Sequence, residues 1–165
     1  MTRQSPSKTD FDPAVARSII AEHVAEPGGL LAALNALQAR FGYVDGELIA
    51  PLADAFNLSR AEVHGVISFY HDFRDRPPGR HVVRICQAEA CQAMGSRGLT
   101  AHAKEVLGLD FGETNAGEGL TLEPVYCLGN CAAAPAVMIG ETVHGRVDAT
   151  RLDMLVAACR KGVRA

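Results

Sequence analysis

The sequence lacks the features that mark membrane proteins and nucleic-acid binders. No apolar run approaches the roughly 18 residues that a membrane-spanning helix needs. Basic residues are not in excess, because 16 Lys and Arg stand against 19 Asp and Glu, for a net charge of −3. A nucleic-acid binder would carry a basic stripe. The first dozen residues are polar and contain no apolar signal-peptide core. We therefore expect a cytoplasmic protein with no membrane span and no nucleic-acid partner.

Several catalytic and nucleotide-binding signatures are absent as well. The chain contains no G-x-G-x-x-G and no P-loop, so we assign it no flavin-binding or NAD-binding residues. It also contains no G-x-S-x-G nucleophile motif. The composition is otherwise that of an ordinary soluble protein, since 48% of its 165 residues are hydrophobic and 21% are charged. We assign no catalytic residue to this chain.

A run of two prolines and a glycine, residues 77–79, divides the chain into two segments of different character. Such a run interrupts both helices and strands, so we place a domain boundary there. We predict a polar tail over residues 1–12, a small helical bundle over residues 13–76 and a mixed second domain over residues 80–165. The fold class that follows is α+β.

The first segment carries helix start signals and apolar residues at helical spacing. Asp12 followed by Pro13 predicts the start of a helix, because proline is tolerated at the first helical position. Ser59 and Glu62, three residues apart, form a capping box and predict the start of the last helix. Pro51 falls inside the third helix and predicts that this helix is short or kinked. We expect three or four helices.

The last of these helices carries an apolar and aromatic run from Gly65 to His71. One interpretation places this run in the core of the bundle. The other makes it a docking surface for a partner subunit, where aromatic residues are favoured. Both interpretations hold if opposite faces of the helix have different roles.

The second segment mixes strand and helix patterns. Its first two strands are separated by a helix, which predicts a parallel pair with a right-handed crossover. Pro124 has no backbone N–H, so we expect the second strand to lie towards a sheet edge. The predicted elements are a strand over residues 81–86, a helix over 99–107, a loop over 108–119, a strand over 120–126, a hairpin of 136–139 and 142–147, and a last helix after Asp148.

Four of the five cysteines form two close pairs, with the pattern Cys86-x4-Cys91, 35 residues, Cys127-x3-Cys131. In a cytoplasmic protein such pairing indicates metal or redox chemistry rather than structural disulfides. Each pair follows a predicted strand and lies among residues typical of loops. If the two strands are neighbours, four thiolates meet at one edge of the sheet, as a 2Fe–2S cluster requires.

Other interpretations of the cysteines stay open at this point. A zinc-stabilised interaction module would use four cysteines, although structural zinc sites favour two-residue spacings within each pair. A thiol–disulfide exchange site would contain a Cys-x-x-Cys motif, which is absent. Four ordinary buried thiols are a third possibility. The fifth cysteine, Cys159, lies on the apolar stripe of the last helix, so we expect a core thiol there.

Several motifs give the chain a resemblance to a known family. They are residues 37–43, residues 65–70, residues 126–131 and the following Ala134-Pro135, together with the cysteine pattern. With these motifs the chain resembles the thioredoxin-like 2Fe–2S ferredoxins. It is similar in particular to the small iron–sulfur subunit of NADH dehydrogenases, NAD-linked hydrogenases and formate dehydrogenases. The likeness covers nearly the whole chain after the polar tail.

Two further stretches narrow the resemblance. Residues 85–95 and 143–147 look most like the gamma subunit of molybdenum-dependent, NAD-linked formate dehydrogenase. Respiratory relatives often carry hydroxyl residues between the first two cysteines and an arginine before the next glycine. Here residues 87–90 read Gln-Ala-Glu-Ala, and Met94 stands before Gly95. The difference leaves all four cysteines in place and bears only on which complex the subunit serves.

The resemblance implies a thioredoxin-like second domain with one 2Fe–2S cluster held by Cys86, Cys91, Cys127 and Cys131. It implies a non-catalytic electron-transfer subunit that docks on the flavin- and NAD-binding iron–sulfur subunit, near the flavin mononucleotide. In a formate dehydrogenase the catalytic molybdenum subunit would be an indirect partner. FMN, NAD, the molybdenum cofactor and further iron–sulfur clusters would all belong to partner subunits. The alternative is the equivalent subunit of a respiratory NADH dehydrogenase or NAD-linked hydrogenase.

Overall fold

A computed structural model describes residues 11–162 of the chain. The chain divides into two compact units between Pro77 and Pro78, and each unit has its own hydrophobic core. Residues 1–10 of the tail predicted over residues 1–12 lie outside the described residues. Residues 163–165, at the end of the second domain, also lie outside them. Among the helices of residues 11–162, none has the length and apolar character that crossing a bilayer requires.

Within residues 11–77 the first unit is a bundle of four α-helices, as its start signals predict. The Asp12 carboxylate accepts the backbone N–H of Ala14 at 2.8 Å and begins α1. Leu34, Leu37 and Leu52 are fully buried in the shared core. The helices are α1 (Pro13–His23), α2 (Gly29–Phe41), α3 (Ile49–Phe56) and α4 (Arg60–Phe69).

The short third helix confirms the expectation drawn from Pro51. Pro51 stands in the first turn of α3, where a helix leaves backbone N–H groups without internal partners. The missing N–H therefore costs no helical hydrogen bond there. The helix ends after eight residues at Asn57, whose φ of 52° turns the chain out of the helix.

Helix α4 presents part of its aromatic run to the outside. Val66 and Ile67 are partly buried against the bundle core, whereas the side chains of Phe69 and Tyr70 are 71% and 43% exposed. The core interpretation of this run is therefore wrong for the two aromatic residues. Their role in docking a partner stays a prediction.

The second unit is built on a five-stranded sheet with the strand order β2-β3-β1-β4-β5 over the residues described. β1 and β3 are parallel neighbours, and the other three pairings are antiparallel. The strands are β1 (His81–Cys86), β2 (Thr114–Asn115), β3 (Leu120–Val125), β4 (Val137–Ile139) and β5 (Thr142–His144). The helices are α5 (Glu89–Ala93), α6 (Ser96–Leu107) and α7 (Ala149–Arg160).

One face of this sheet packs with α6 and α7 to form the core of the unit. Val83, Leu122 and Val137 from the strands and Leu152 from α7 are fully buried there. Cys159, at 1% exposure, belongs to the same core, which confirms its interpretation as a core thiol.

Four details differ from the sequence-based predictions. Helix α5 and the short strand β2 were not predicted, because five and two residues carry too little periodicity to show in a pattern. β5 ends at His144 rather than at Val147. β3 lies between β1 and β2, not at an edge. Pro124 is tolerated because β2 pairs only with Leu120 and Thr121, so that Pro124 has no outer partner strand among the described residues.

The capping box of α4 gives a test of the first unit. The Ser59 hydroxyl accepts the Glu62 N–H at 3.2 Å, and the Glu62 carboxylate accepts the Ser59 N–H at 2.8 Å. Ser59→Ala should lower the free energy of unfolding by about 1 kcal/mol in urea titrations followed by circular dichroism. Ser68→Ala, an exposed change inside the same helix, should alter it by less than about 0.5 kcal/mol. Equal losses in the two variants would contradict a capping role.

Candidate metal centre

The first pair of thiols begins where β1 ends. Cys86 is the last residue of β1, and Cys91 lies in α5. Both are buried at 2% exposure. The expectation that both pairs lie in loops is therefore wrong for Cys91, which a single turn of helix directs towards Cys86.

The second pair follows β3 and is exposed. Cys127 lies two residues after the end of β3, and Cys131 begins a 3-10 turn that ends at Ala133. Cys127 has a φ of 143°, a backbone conformation that is costly for a residue with a side chain. Gly129, with a φ of 71°, donates its backbone N–H to the Cys127 sulfur at 3.3 Å. The sharp bend at Cys127 and Gly129 thus places the Gly129 N–H within hydrogen-bonding distance of the Cys127 sulfur.

Strand register brings the two pairs together. Cys86 is in register with Val125 in the parallel β1–β3 pair, so both connecting segments leave the same edge of the sheet. The N–H of Gln87 donates to the carbonyl of Val125 at 2.8 Å, and the N–H of Cys86 donates to the carbonyl of Ala136 at 3.1 Å. The structure thus places side by side all four cysteines that the sequence singled out.

Neighbouring thiols of the candidate site raise the pKa of Cys91 and of Cys131. Burial raises the pKa of the Cys91 thiol, the Ala136 N–H lowers it, and the neighbouring Cys86 and Cys131 raise it further. The pKa of Cys131 is raised chiefly by its hydrogen bond with Cys127 and by the charge of that group. Four thiolates in this space would repel one another, so a cationic centre is needed to hold all of them deprotonated.

The four thiols are grouped as two pairs, as the ligands of a two-iron cluster are. The strongest influences of one thiol on the pKa of another fall within two pairs, Cys86 on Cys91 and Cys127 on Cys131. A structural zinc site gathers four ligands at one point. A 2Fe–2S cluster instead takes two thiolates on each of two irons, which matches two separate pairs.

Residues 145 and 146 pack against the backbone of the second pair, a contact that the sequence does not predict. We call this contact the brace. An added Cβ on Gly145 would lie 2.6 Å from the amide nitrogen of Asn130 and 2.7 Å from the Cβ of Ala133. The next residue, Arg146, donates its N–H to the carbonyl of Ala133 at 2.7 Å. The Arg151 guanidinium donates to the Gly145 carbonyl at 3.0 Å. The only sequence signal for this brace was the family likeness of residues 143–147.

Comparison with known proteins identifies the family. Residues 16–160 match the thioredoxin-like 2Fe–2S ferredoxin family, and the chain belongs to it. This family carries one 2Fe–2S cluster. The chain is 33% identical over 135 residues to a subunit of the NADH-quinone oxidoreductase of Rhizobium meliloti, and the match covers 82% of this chain and 80% of that relative. It is also 33% identical over 130 residues to the NADP-reducing hydrogenase subunit HndA of Solidesulfovibrio fructosivorans, covering 79% of this chain and 76% of that relative.

A solved structure shows the same architecture. The NAD+-reducing NiFe-hydrogenase in its H2-reduced state superimposes with a TM-score of 0.66 at 28% identity, over 82% of this chain. The chain spans only 22% of that hydrogenase chain. The thioredoxin-like fold expected for the second domain agrees with the family match.

The brace at Gly145 can be tested by adding one methyl group. Gly145→Ala should lower stability by roughly 1–3 kcal/mol, because the backbone behind the second thiol pair must shift to relieve the clash. Gly98→Ala in α6 is the matched control, since an added Cβ there meets nothing within 4 Å. Thermal unfolding of both variants, together with their visible spectra after loading with iron and sulfide, measures the difference. An unchanged Gly145→Ala protein would contradict the brace.

Proposed function

We propose that this chain is the electron-transfer subunit of an NAD-linked oxidoreductase and that Cys86, Cys91, Cys127 and Cys131 ligate its 2Fe–2S cluster. The observation that carries the proposal is the meeting of two thiol pairs at the carboxyl ends of the adjacent parallel strands β1 and β3. When bound, such a cluster accepts and releases one electron at a time.

The residues around the thiols are suited to holding and tuning that cluster. The backbone N–H of Gly129 donates to the Cys127 sulfur, and a backbone hydrogen bond from Ala136 lowers the pKa of Cys91. Such hydrogen bonds stabilise the added charge of the reduced form and raise the reduction potential. The buried first pair keeps its half of the site from water, while the exposed second pair lies at the surface, where a redox partner can approach.

The surface beside the second pair suits a close protein contact. Residues 124–139 contain no charged side chain, and Tyr126 in this stretch is 76% exposed. Uncharged and aromatic surface is typical of the desolvated centre of an interface. We propose that the flavin- and NAD-binding iron–sulfur subunit docks here, with its FMN within electron-transfer reach. FMN, NAD and further iron–sulfur clusters then belong to partner subunits.

We propose an NAD-dependent formate dehydrogenase as the parent complex, with the molybdenum cofactor on its catalytic subunit. The support is the likeness of residues 85–95 and 143–147 to the gamma subunits of such enzymes. The equivalent subunit of an NADH dehydrogenase or an NAD-linked hydrogenase is the second candidate, supported by the relatives of those names.

Electron paramagnetic resonance with metal analysis tests the cluster. Anaerobically purified, dithionite-reduced protein should give a rhombic or axial signal and contain about two irons per chain. A sample without the signal but with stoichiometric zinc would refute the electron-transfer role and favour a zinc-stabilised interaction module. If the isolated chain holds neither metal, the same measurement on the copurified complex decides.

Two cysteine substitutions test the ligand assignment. Cys127→Ser should abolish or strongly change the cluster spectrum, because it replaces a proposed thiolate ligand. Cys159→Ser is the matched control and should leave the spectrum intact, since burial in the α7 core separates this thiol from the site and raises its pKa. A spectrum lost in the Cys159 variant would show that the assignment is wrong.

Activity of the intact complex tests its identity. The complex copurified with this chain should reduce NAD with formate and contain molybdenum. Reduction of quinone by NADH, or of NAD by hydrogen, without formate activity would instead establish the second candidate.

A further inference from the structure

We infer that two side chains outside the ligand set, Ser96 and Gln92, position the first thiol pair by binding the backbone carbonyls of Cys86 and Gln87. They are positioning residues, since each acts on the cluster through the peptide chain that carries the ligands. The inference rests on the proposed ligation by Cys86 and Cys91.

Ser96 holds the backbone of the first ligand. It is the first residue of α6 and is fully buried. Its hydroxyl donates to the carbonyl of Cys86 at 2.6 Å. The N–H of Cys86 donates to the carbonyl of Ala136 at 3.1 Å. The backbone N–H and C=O of Cys86 are therefore both hydrogen-bonded. The C=O is bonded to α6, and the N–H is bonded to the segment before β4.

Gln92 connects the two ends of the first cluster segment. It follows Cys91 directly, and its amide nitrogen donates to the carbonyl of Gln87, the residue after Cys86, at 2.6 Å. Its amide oxygen accepts from Arg97 at 3.1 and 2.8 Å, which fixes the orientation of the amide group. The side chain thus spans from the residue after one ligand to the residue after the other and limits how far the two sulfurs can separate.

Gln87 extends the same network towards α6. Its side-chain amide donates to the Thr100 hydroxyl at 2.9 Å and to the carbonyl of Ile85 at 3.2 Å. Gln87 and Gln92 each directly follow a cysteine of the first pair, and both precede the start of α6. Both side chains donate hydrogen bonds to backbone carbonyls next to Cys86, those of Ile85 and Gln87. These hydrogen bonds restrict the backbone that carries the proposed ligands.

Loss of these hydrogen bonds should weaken metal binding, because the backbone that carries the proposed ligands becomes less rigid. Outer-shell partners that orient metal ligands commonly contribute 10–100-fold to metal affinity. Removing the Ser96 hydroxyl leaves the buried Cys86 carbonyl without this donor. The peptide is then free to sample several orientations, and the iron sites of different molecules become unlike one another. Both consequences can be measured on the cluster itself.

The experiment compares three variants of the full chain carrying its cluster, namely Ser96→Ala, Gln92→Met and Thr121→Val. Thr121 is the matched control, because its buried hydroxyl also bonds backbone at 2.6 Å, to the N–H of Gly79. It lies four residues before Val125 in β3, roughly 13 Å along the strand from the cluster edge. The readouts are the line shape of the paramagnetic resonance signal and the rate at which a chelator removes iron.

We expect Ser96→Ala and Gln92→Met to broaden the resonance and to speed iron removal about tenfold. Thr121→Val should lower thermal stability and leave both cluster readouts as in the wild type. The inference is overturned if the two test variants match the wild type, or if all three variants lose iron equally fast, which would show general destabilisation. If Ser96→Ala does not fold, the result for the half-buried Gln92 decides. Wild-type protein that holds no cluster either alone or in the copurified complex would refute the proposed function itself.

Discussion

Six residue pairs hold β1 parallel to β3, and the last of them sets Cys86 beside Val125. This register is what makes one site out of two distant cysteine pairs. A slip of one residue would turn every side chain of the strand to the opposite face of the sheet. The strand would then lose its place in the core that Val83 and Ile85 share with α6 and α7. The packing of the second unit therefore also fixes the position of the candidate metal centre.

The two halves of the centre differ in environment although their donors are identical. Cys86 and Cys91 are buried and held by hydrogen bonds from the rest of the unit, whereas Cys127 and Cys131 lie exposed on a sharply bent segment. A buried, rigid half limits water and motion around the cluster. An exposed half, surrounded by small and uncharged residues, allows a partner to approach. This division is suited to a one-electron carrier within a larger complex, since electron transfer needs proximity and little rearrangement.

Each half depends on contacts with segments far away in the sequence. The stretch that carries Cys86 and Cys91 is bonded to α6 through Ser96. The stretch that carries Cys127 and Cys131 packs against Gly145, which follows the β4–β5 hairpin. Both contacts join residues that the fold brings together. The arrangement of the candidate site therefore depends on the second domain around it.

Local signals along the chain are enough to identify the residues of the candidate site and the class of fold that holds them. Cysteine spacing, β-branched strands and helix caps are local signals, so they can be read along the chain, and the capping box at Ser59 and the short helix at Pro51 have the forms that these signals predict. Three features come instead from tertiary contacts: Cys91 lies on a helix, β3 lies inside the sheet and Phe69 is exposed. The same contacts bring Ser96 to the carbonyl of Cys86 and Gly145 against Asn130 and Ala133. These features arise from packing and hydrogen bonds between segments distant in sequence, and such contacts leave no periodic pattern in the chain.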